Sequence, residues 1–276
     1  MKLTNNVIME FNQALKEEEK QPKTVKQYTR AAELLSEWLG GREMDKSALL
    51  EYKAMLEKEQ SPNSVNTIIA AINKLVTFIG DVTLKLKSLK IQKAIFADPD
   101  RELTKNEVDR LIETAKWLGK TRLETILYTL SKSGARVSEL KHITVEAAKQ
   151  GYALINSKGK HRKLVLSKKL CKRLRRYAKK QDIKSGSIFI TRNGNPVDPS
   201  NLSKEMKALA EKANVDKRKV FPHNFRHFFA RMFYRLHKDI ARLADIMGHS
   251  SIETTRIYIM ETGDVHRRQL DELCML

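Results

Sequence analysis

The stretch FPHNFRHFFARMFYRLH, Phe221–His237, decides how the second half of the chain folds. Phe225, Phe228, Phe229, Met232, Phe233 and Leu236 fall at i, i+3, i+4, i+7, i+8 and i+11. That is the apolar stripe of a helix buried along one face. Pro222 fits the first helical turn, where its missing N–H costs nothing. At about 100° per residue, His223 and Arg226 stand off the centre of the stripe, one turn apart. An imidazole and a guanidinium therefore meet near a helix N-terminus, where an anion is favoured. A solvent-facing His and Arg would give the same pattern, so partners elsewhere in the chain have to separate the two readings.

Three other segments offer such partners. In MGHSSIETTRIYI, Met247–Ile259, His249 is followed nine residues later by Tyr258. The segment reads as two short helices around a turn, either a helix-turn-helix that reads DNA or part of an active site. In SGARVSEL, Ser133–Leu140, Arg136 follows a Ser-Gly break and Glu139 lies one turn on. The pair is either a plain i,i+3 salt bridge or a carboxylate steadying an arginine aimed at a phosphate. The segment GYALINSKGKHRKLVLS, Gly151–Ser167, reads as strand, turn and strand, with Gly159 as the permissive turn residue. Lys158 stands at the tip of that turn, either donating a proton into a neighbouring site or simply adding to a basic run.

The composition points to a polyanion. The 276 residues suffice for one large domain or two ordinary ones, and 41% hydrophobic content supports real cores. The net charge is +20, with a pI near 9.9. Charge of this size concerns partners rather than fold, and nucleic acid is the first expectation. Residues 1–90 carry 14 Lys+Arg against 12 Asp+Glu, and residues 91–276 carry 39 against 21. The densest run, residues 156–180, has 12 basic residues and no acid. A merely solvated helix face would carry acidic partners at i,i+4. Cys171 and Cys274 lack metal-ligand spacing and are expected to be unpaired thiols. The N-terminus has no apolar signal-peptide core, and no window approaches 18 apolar residues, so no membrane association is expected.

Along the chain, helices are expected near 4–19, 24–40, 45–59 and 61–80, a small bundle. Ser61 and Pro62 mark one start, and Gly40 and Gly80 mark two ends. Residues 84–101 lack a clean helical stripe and read as a linker. Thr104 and Glu107 form a capping box that opens the next helix. SIFIT, Ser187–Thr191, reads as a possible further strand, and helices resume from about 199.

Taken in order, GARVSEL, a lysine in a β-turn, HNFRH, GHSS and the tyrosine nine residues after that histidine resemble the tyrosine recombinase (phage integrase) family. The resemblance covers essentially the whole chain. It implies a mainly α fold, with an N-terminal four-helix core-binding (SAM-like) domain over 1–83 and a linker over 84–101. The mostly helical catalytic domain, with its small β-hairpin, then spans 102–276. Arg136 and Arg226 match the catalytic arginines, His223 the head of the H-x-x-R motif, His249 the later His/Trp position, Lys158 the hairpin lysine and Tyr258 the nucleophile. Glu139 matches the acidic residue after the first arginine. Lys160, Arg162 and Lys163 are expected to contact DNA. Ala135 departs from the family, where a larger apolar residue is common, and this bears on packing only.

The implied activity is site-specific cleavage and rejoining of double-stranded DNA through a 3′-phosphotyrosine, with no metal and no cofactor. Implied partners are recombination sites, three further protomers in a tetramer, and accessory DNA-bending or directionality factors. The setting is the cytoplasm, at the nucleoid. Integration and excision of a mobile element is the leading task, a Xer-like dimer resolvase the alternative, and no separate N-terminal arm-binding domain is expected. A non-catalytic helix-turn-helix regulator would explain Met247–Ile259 and the charge, but not the arginines and lysine in this order. A type IB topoisomerase shares the chemistry but not the compact N-terminal bundle, and the stacking motif of an RNA-binding RRM is missing.

Overall fold

A computed structural model of the chain describes residues 1–91, 99–157, 160–249, 251–258 and 270–272. It divides into two compact units, Met1–Lys93 and Ala94–Leu276.

The first unit holds α1 (Asn5–Glu17), α2 (Pro22–Leu39), α3 (Lys46–Glu59) and α4 (Pro62–Ile79). Thr4, Asp45 and Ser61 each accept a backbone N–H from the first turn of their helix, which satisfies one of the donors left over there. Gly40 and Gly80 end α2 and α4 in the left-handed conformation. Phe11, Leu35, Leu49, Val65, Ile69 and Leu75 are buried together in the core.

The chain after α4 stays with the bundle. Leu84 and Leu86 are buried in its core. Asn73 Nδ2 donates to the Leu86 carbonyl at 2.9 Å, and Asn73 Oδ1 accepts the Leu86 N–H at 2.7 Å. Asn66, two turns back on the same face of α4, does the same with Leu89, at 3.0 and 2.7 Å. Each amide thus pairs the extended backbone as a neighbouring strand would. Of the stretch read as a linker, residues 84–89 are therefore held against the bundle, with Leu86 and Leu89 clamped to α4, and 92–98 lie outside the described residues.

The second unit begins with α5 (Lys105–Trp117), opened by the capping box of Thr104 and Glu107. Then follow α6 (Thr121–Ser133), a 3-10 turn (Val137–His142), α7 (Val145–Gln150), β1 (Tyr152–Ser157), β2 (Lys160–Val165) and α8 (Lys168–Lys180). The unit closes with α9 (Pro199–Lys212), α10 (Pro222–His237), α11 (Ile240–Met247) and α12 (Ile252–Arg256). The fold is mostly helical, with one small antiparallel sheet.

In that sheet Ala153 faces Leu164 and Ile155 faces Arg162. Ala153, Ile155 and Leu164 are buried, whereas Leu154 and Val165 are exposed. Period-2 alternation puts Arg162 on the inward face with Ile155 and Leu164. The SIFIT stretch forms isolated bridges only, Ser187 with Thr144 and Ile190 with Pro196. Its buried Ile188 and Phe189 belong to the core beside α8 and α9, and the NGNP turn folds the chain back too soon for a strand to extend. In α8, Leu170, Cys171, Leu174, Tyr177 and Ala178 face the core, so the basic residues of this run are pushed outward. Cys171 is a buried free thiol, and Cys274 lies outside the described residues.

Helix α10 packs on α6 and α11. Its stripe is present but rotated from the expected one. Phe225 and Phe228 are buried and Phe229, Met232 and Phe233 half-buried, but Leu236 is 79% exposed and Arg226 is only 1% exposed. An arginine therefore occupies a place in the interior.

Replacing Asn73 with alanine leaves the Leu86 N–H and carbonyl, now poorly solvated, without partners, at a cost of about 1–3 kcal/mol. The expected result is a lower urea midpoint for the first unit and faster tryptic cleavage after Lys85 and Lys87. A cleavage rate equal to that of the parent chain would show that the clamp does not hold the segment.

Candidate active site

Arg226 is the centre of the site. It enters from the first turns of α10 and is held by groups at two helix C-termini. Its Nη1 donates to the carbonyl of Gly134, the cap residue of α6. Its Nη2 donates to the carbonyl of Met247, the last residue of α11, at 2.7 Å, and reaches His249 Nε2 at 2.7 Å. Carbonyls at helix C-termini have no intrahelical donor and carry partial negative charge, so a buried cation suits them. Both helices end in left-handed glycines, Gly134 at φ +62° and Gly248 at φ +64°. A Cβ at Gly134 would collide with the Phe229 ring, and one at Gly248 with the side chain of Arg162. Glycine is thus required twice where helix ends crowd the site.

Arg136 follows Gly134 and Ala135, and its side chain is 41% exposed. Glu139 accepts both the Arg136 backbone N–H (2.8 Å) and its Nη1 (2.9 Å). The same carboxylate accepts Arg162 Nη2 at 2.6 Å, and Arg162 Nη1 donates to the Ile246 carbonyl at 2.9 Å. Burial opposes ionisation of Glu139. The Arg136 N–H and the guanidiniums of Arg162 and Arg136 outweigh it and hold the carboxyl below its ordinary value. Arg162 therefore joins the hairpin, the Arg136 turn and the end of α11.

Tyr258 follows α12 and is buried, with its hydroxyl 3.4 Å from His223 Nε2. Its ring stacks on His249, with centroids 5.3 Å apart, and lies 4.3 Å from the ring of His227. The Arg226 guanidinium carbon is 6.0 Å from the Tyr258 ring centroid. His249 Nδ1 pairs with the Thr255 hydroxyl at 2.8 Å.

Burial and the surrounding cations keep the imidazoles neutral. His249 is lowered to about 4 by burial, then by Arg226, Arg136 and Arg162. His227 is lowered to about 4 by burial, His223 and Arg226. His223 shifts the same way through burial, Arg226 and Arg136. Arg226 is lowered to about 10 by burial first and Arg136 second, and remains charged at neutral pH. Three guanidiniums gather here around one carboxylate, which pairs with Arg136 and Arg162 only, so positive charge is left over and favours an anion.

The structure thus gathers Arg136, Glu139, His223, Arg226, His249 and Tyr258. Lys158 lies outside the described residues, and of Lys160 only the backbone in β2 is described. Lys163 is exposed, with its ammonium 4.8 Å from the centre of the Tyr152 ring. Arg162, expected on DNA, instead points inward and is occupied by Glu139 and Ile246. Two neighbours of Tyr258 and His249 were not singled out from the sequence. His227 ends the quoted HNFRH motif, one residue after Arg226. Thr255 is the second residue of the Thr-Thr pair before Tyr258 and is fully buried, which a hydroxylated residue on a helix of five seldom is without a polar task.

A tyrosine hydroxyl set among arginines and neutral imidazoles, on a mostly helical unit preceded by a helical bundle, belongs to the tyrosine recombinases, enzymes that cleave and rejoin DNA strands. The model of the Phage integrase family matches residues 101–263, and the chain belongs to that family. It is 29% identical to tyrosine recombinase XerA of Thermococcus kodakarensis, over 99% of this chain and 96% of that protein. It is 25% identical to tyrosine recombinase XerD of Halalkalibacterium halodurans, over 93% of this chain and 87% of that protein. Its fold is similar to that of the Tn1549 transposon integrase in complex with transposon right end DNA. The TM-score is 0.72 at 18% identity, covering 97% of this chain and 99% of the other.

Glu139→Gln is expected to destabilise the second unit by about 3 kcal/mol at pH 7, because two guanidiniums lose their buried anion. A carboxyl held low in the folded state stabilises above its unfolded value, near 4.5, and the effect is lost as pH falls through the folded value. The deficit should therefore shrink in urea titrations at pH 4 and below. An equal deficit at pH 7 and in acid would mean that packing, and not charge, is what Glu139 supplies.

Proposed function

We propose that Tyr258 is the nucleophile of site-specific strand exchange on double-stranded DNA. Its hydroxyl oxygen attacks the scissile phosphate, the bond from phosphorus to the 5′-oxygen breaks, and a 3′-phosphotyrosine forms. His223, 3.4 Å from that hydroxyl, receives its proton. Lys158, from the hairpin turn, protonates the leaving 5′-oxygen. Arg136 and Arg226 neutralise the charge that builds on the phosphate oxygens, and His249 adds a hydrogen bond. A 5′-hydroxyl of the partner strand then attacks the phosphotyrosine and releases Tyr258, so no high-energy cofactor enters the reaction.

One observation carries this reading. Tyr258, His223, His249 and Arg226 come from three separate segments and meet at one place, with uncompensated positive charge beside the hydroxyl. A helix-turn-helix regulator has no need to bury a tyrosine among neutral imidazoles and arginines.

In this reading the N-terminal bundle, residues 1–83, is the core-binding domain, and Lys160 and Lys163 contact phosphates beside the site. Four protomers assemble on two sites in the nucleoid of the cytoplasm, helped by accessory DNA-bending or directionality factors. The C-terminal residues 264–276, which lie largely outside the described residues, pack on a neighbouring protomer. The task is integration and excision of a mobile element. The near-complete mutual coverage with XerA of Thermococcus kodakarensis favours, as a second reading, Xer-like resolution of chromosome or plasmid dimers.

Incubating the chain with sheared genomic DNA of its source and denaturing it should leave DNA joined to Tyr258. Tyr258→Phe should abolish the adduct while retaining DNA binding. Sequencing the joined DNA separates the two tasks, since junctions fall at the ends of a mobile element or at one chromosomal site. An adduct that survives Tyr258→Phe would remove Tyr258 from its assigned role.

A further inference from the structure

Thr255 is fully buried, and the partner of its hydroxyl among the described residues is His249 Nδ1, at 2.8 Å. The other ring nitrogen, Nε2, lies 2.7 Å from Arg226 Nη2. A guanidinium only donates. Nε2 therefore presents its lone pair to Arg226, and in a neutral ring the proton then sits on Nδ1. Thr255 Oγ1 accepts that proton's hydrogen bond. We infer that Thr255 is a positioning residue for His249, whose hydroxyl supports the tautomer that Arg226 demands and can also serve the opposite one that a phosphate demands. The inference rests on the phosphoryl-transfer reading above for its consequence, but not for its geometry.

In the DNA-free enzyme this tautomer lets two groups destined for one phosphate satisfy each other. Without it, the face of Arg226 toward His249 would meet a second donor in a half-buried site, where an unpaired donor is costly. An incoming phosphate oxygen reverses the requirement. It only accepts, so Nε2 must now carry the proton. Solvent water supplies a proton to Nε2 and takes one from Nδ1, so the ring stays neutral and the charges left on water cancel. Nδ1 then needs a donor, and the Thr255 hydroxyl rotates to become one. A hydroxyl can accept in the first state and donate in the second. A carboxylate in this place would only accept, an ammonium would only donate, and an aliphatic group would do neither.

The test is ¹⁵N spectroscopy of the histidine rings in the whole DNA-free chain, with His249 assigned through His249→Ala. The parent chain should show a protonated Nδ1 and an unprotonated Nε2. Inorganic phosphate should move the proton to Nε2. Thr255→Ser should keep both states. Thr255→Val, which keeps the branched shape, should give mixed tautomers and slow adduct formation about 10²-fold. Protonated Nε2 in the free parent chain overturns the inference, as does a Thr255→Val spectrum equal to the parent's. Both nitrogens protonated in phosphate would overturn the reversal. If the valine variant does not fold, the parent and serine spectra still decide the tautomer. Failure to form any adduct with Tyr258 would instead defeat the recombinase chemistry, and would leave the His249 spectrum of the free chain unchanged.

Discussion

A buried arginine is the constraint on which the second unit depends. Placing the Arg226 guanidinium in the interior is unfavourable unless its charge and its donors are met. The terminal nitrogens are met by the carbonyls of Gly134 and Met247 and by His249 Nε2, whereas the buried Nε has no partner among the described residues. Those three partners come from the end of α6 and from the end of α11 and the turn after it. Solvating one side chain thus fixes two helix ends and an imidazole relative to α10. The glycines at 134 and 248 follow from the same requirement. Each frees a helix-end carbonyl by turning the chain left-handed, and each leaves room for a neighbour, Phe229 in one case and Arg162 in the other.

Much of this was legible in the sequence, and the departures have physical causes. The apolar period found α10, the capping residues and glycines found the bundle helices, and the Gly159 turn found the hairpin. The identity and order of the charged and ring residues found the group around Tyr258. Periodicity could not reveal that Arg226 lies inside, because a helical wheel places polar residues outward by default and contains no term for carbonyls of other helices. The stripe correspondingly overestimated Leu236, which the rotated helix leaves exposed. Arg162 lies inward for a different reason. In a basic run it reads as a DNA contact, whereas its parity with Leu164 on β2 marks the inward face. In a two-stranded sheet alternation outranks composition. SIFIT was apolar enough for a strand, but burial of Ile188 and Phe189 by helices accounts for that pattern equally well.

The charge around the site is arranged so that it is nearly, but not fully, compensated. Glu139 serves both Arg136 and Arg162, yet its carboxylate cancels one charge of the three guanidiniums. The imidazoles do not add to the excess, since burial and the neighbouring cations keep them neutral. A half-buried site with surplus positive charge and low effective dielectric strengthens its hold on an anion at the moment one arrives. The carboxylate also orients the arginine that stays accessible. Arg136 is held by its own backbone N–H and its Nη1 on Glu139, which leaves the rest of its fork toward solvent.

Tyr258 rides on a part of the unit with little apolar support. Tyr258 belongs to a small cluster with Ala230, Leu243 and Met247, separate from the main core, and it follows a helix of only five residues. Apolar burial of that extent orders a segment weakly. What fixes the segment is polar. Arg226 and Arg162 hold the carbonyls of Met247 and Ile246, and the His249 turn sits between Arg226 and Thr255. The rings of His223, His227 and His249 then surround that of Tyr258. Because hydrogen bonds to an anion at the site would compete with those same contacts, the ordering of the tyrosine and the binding of that anion draw on one set of groups. A tyrosine anchored in the main core would be better held, but its position would not respond to an anion bound beside it.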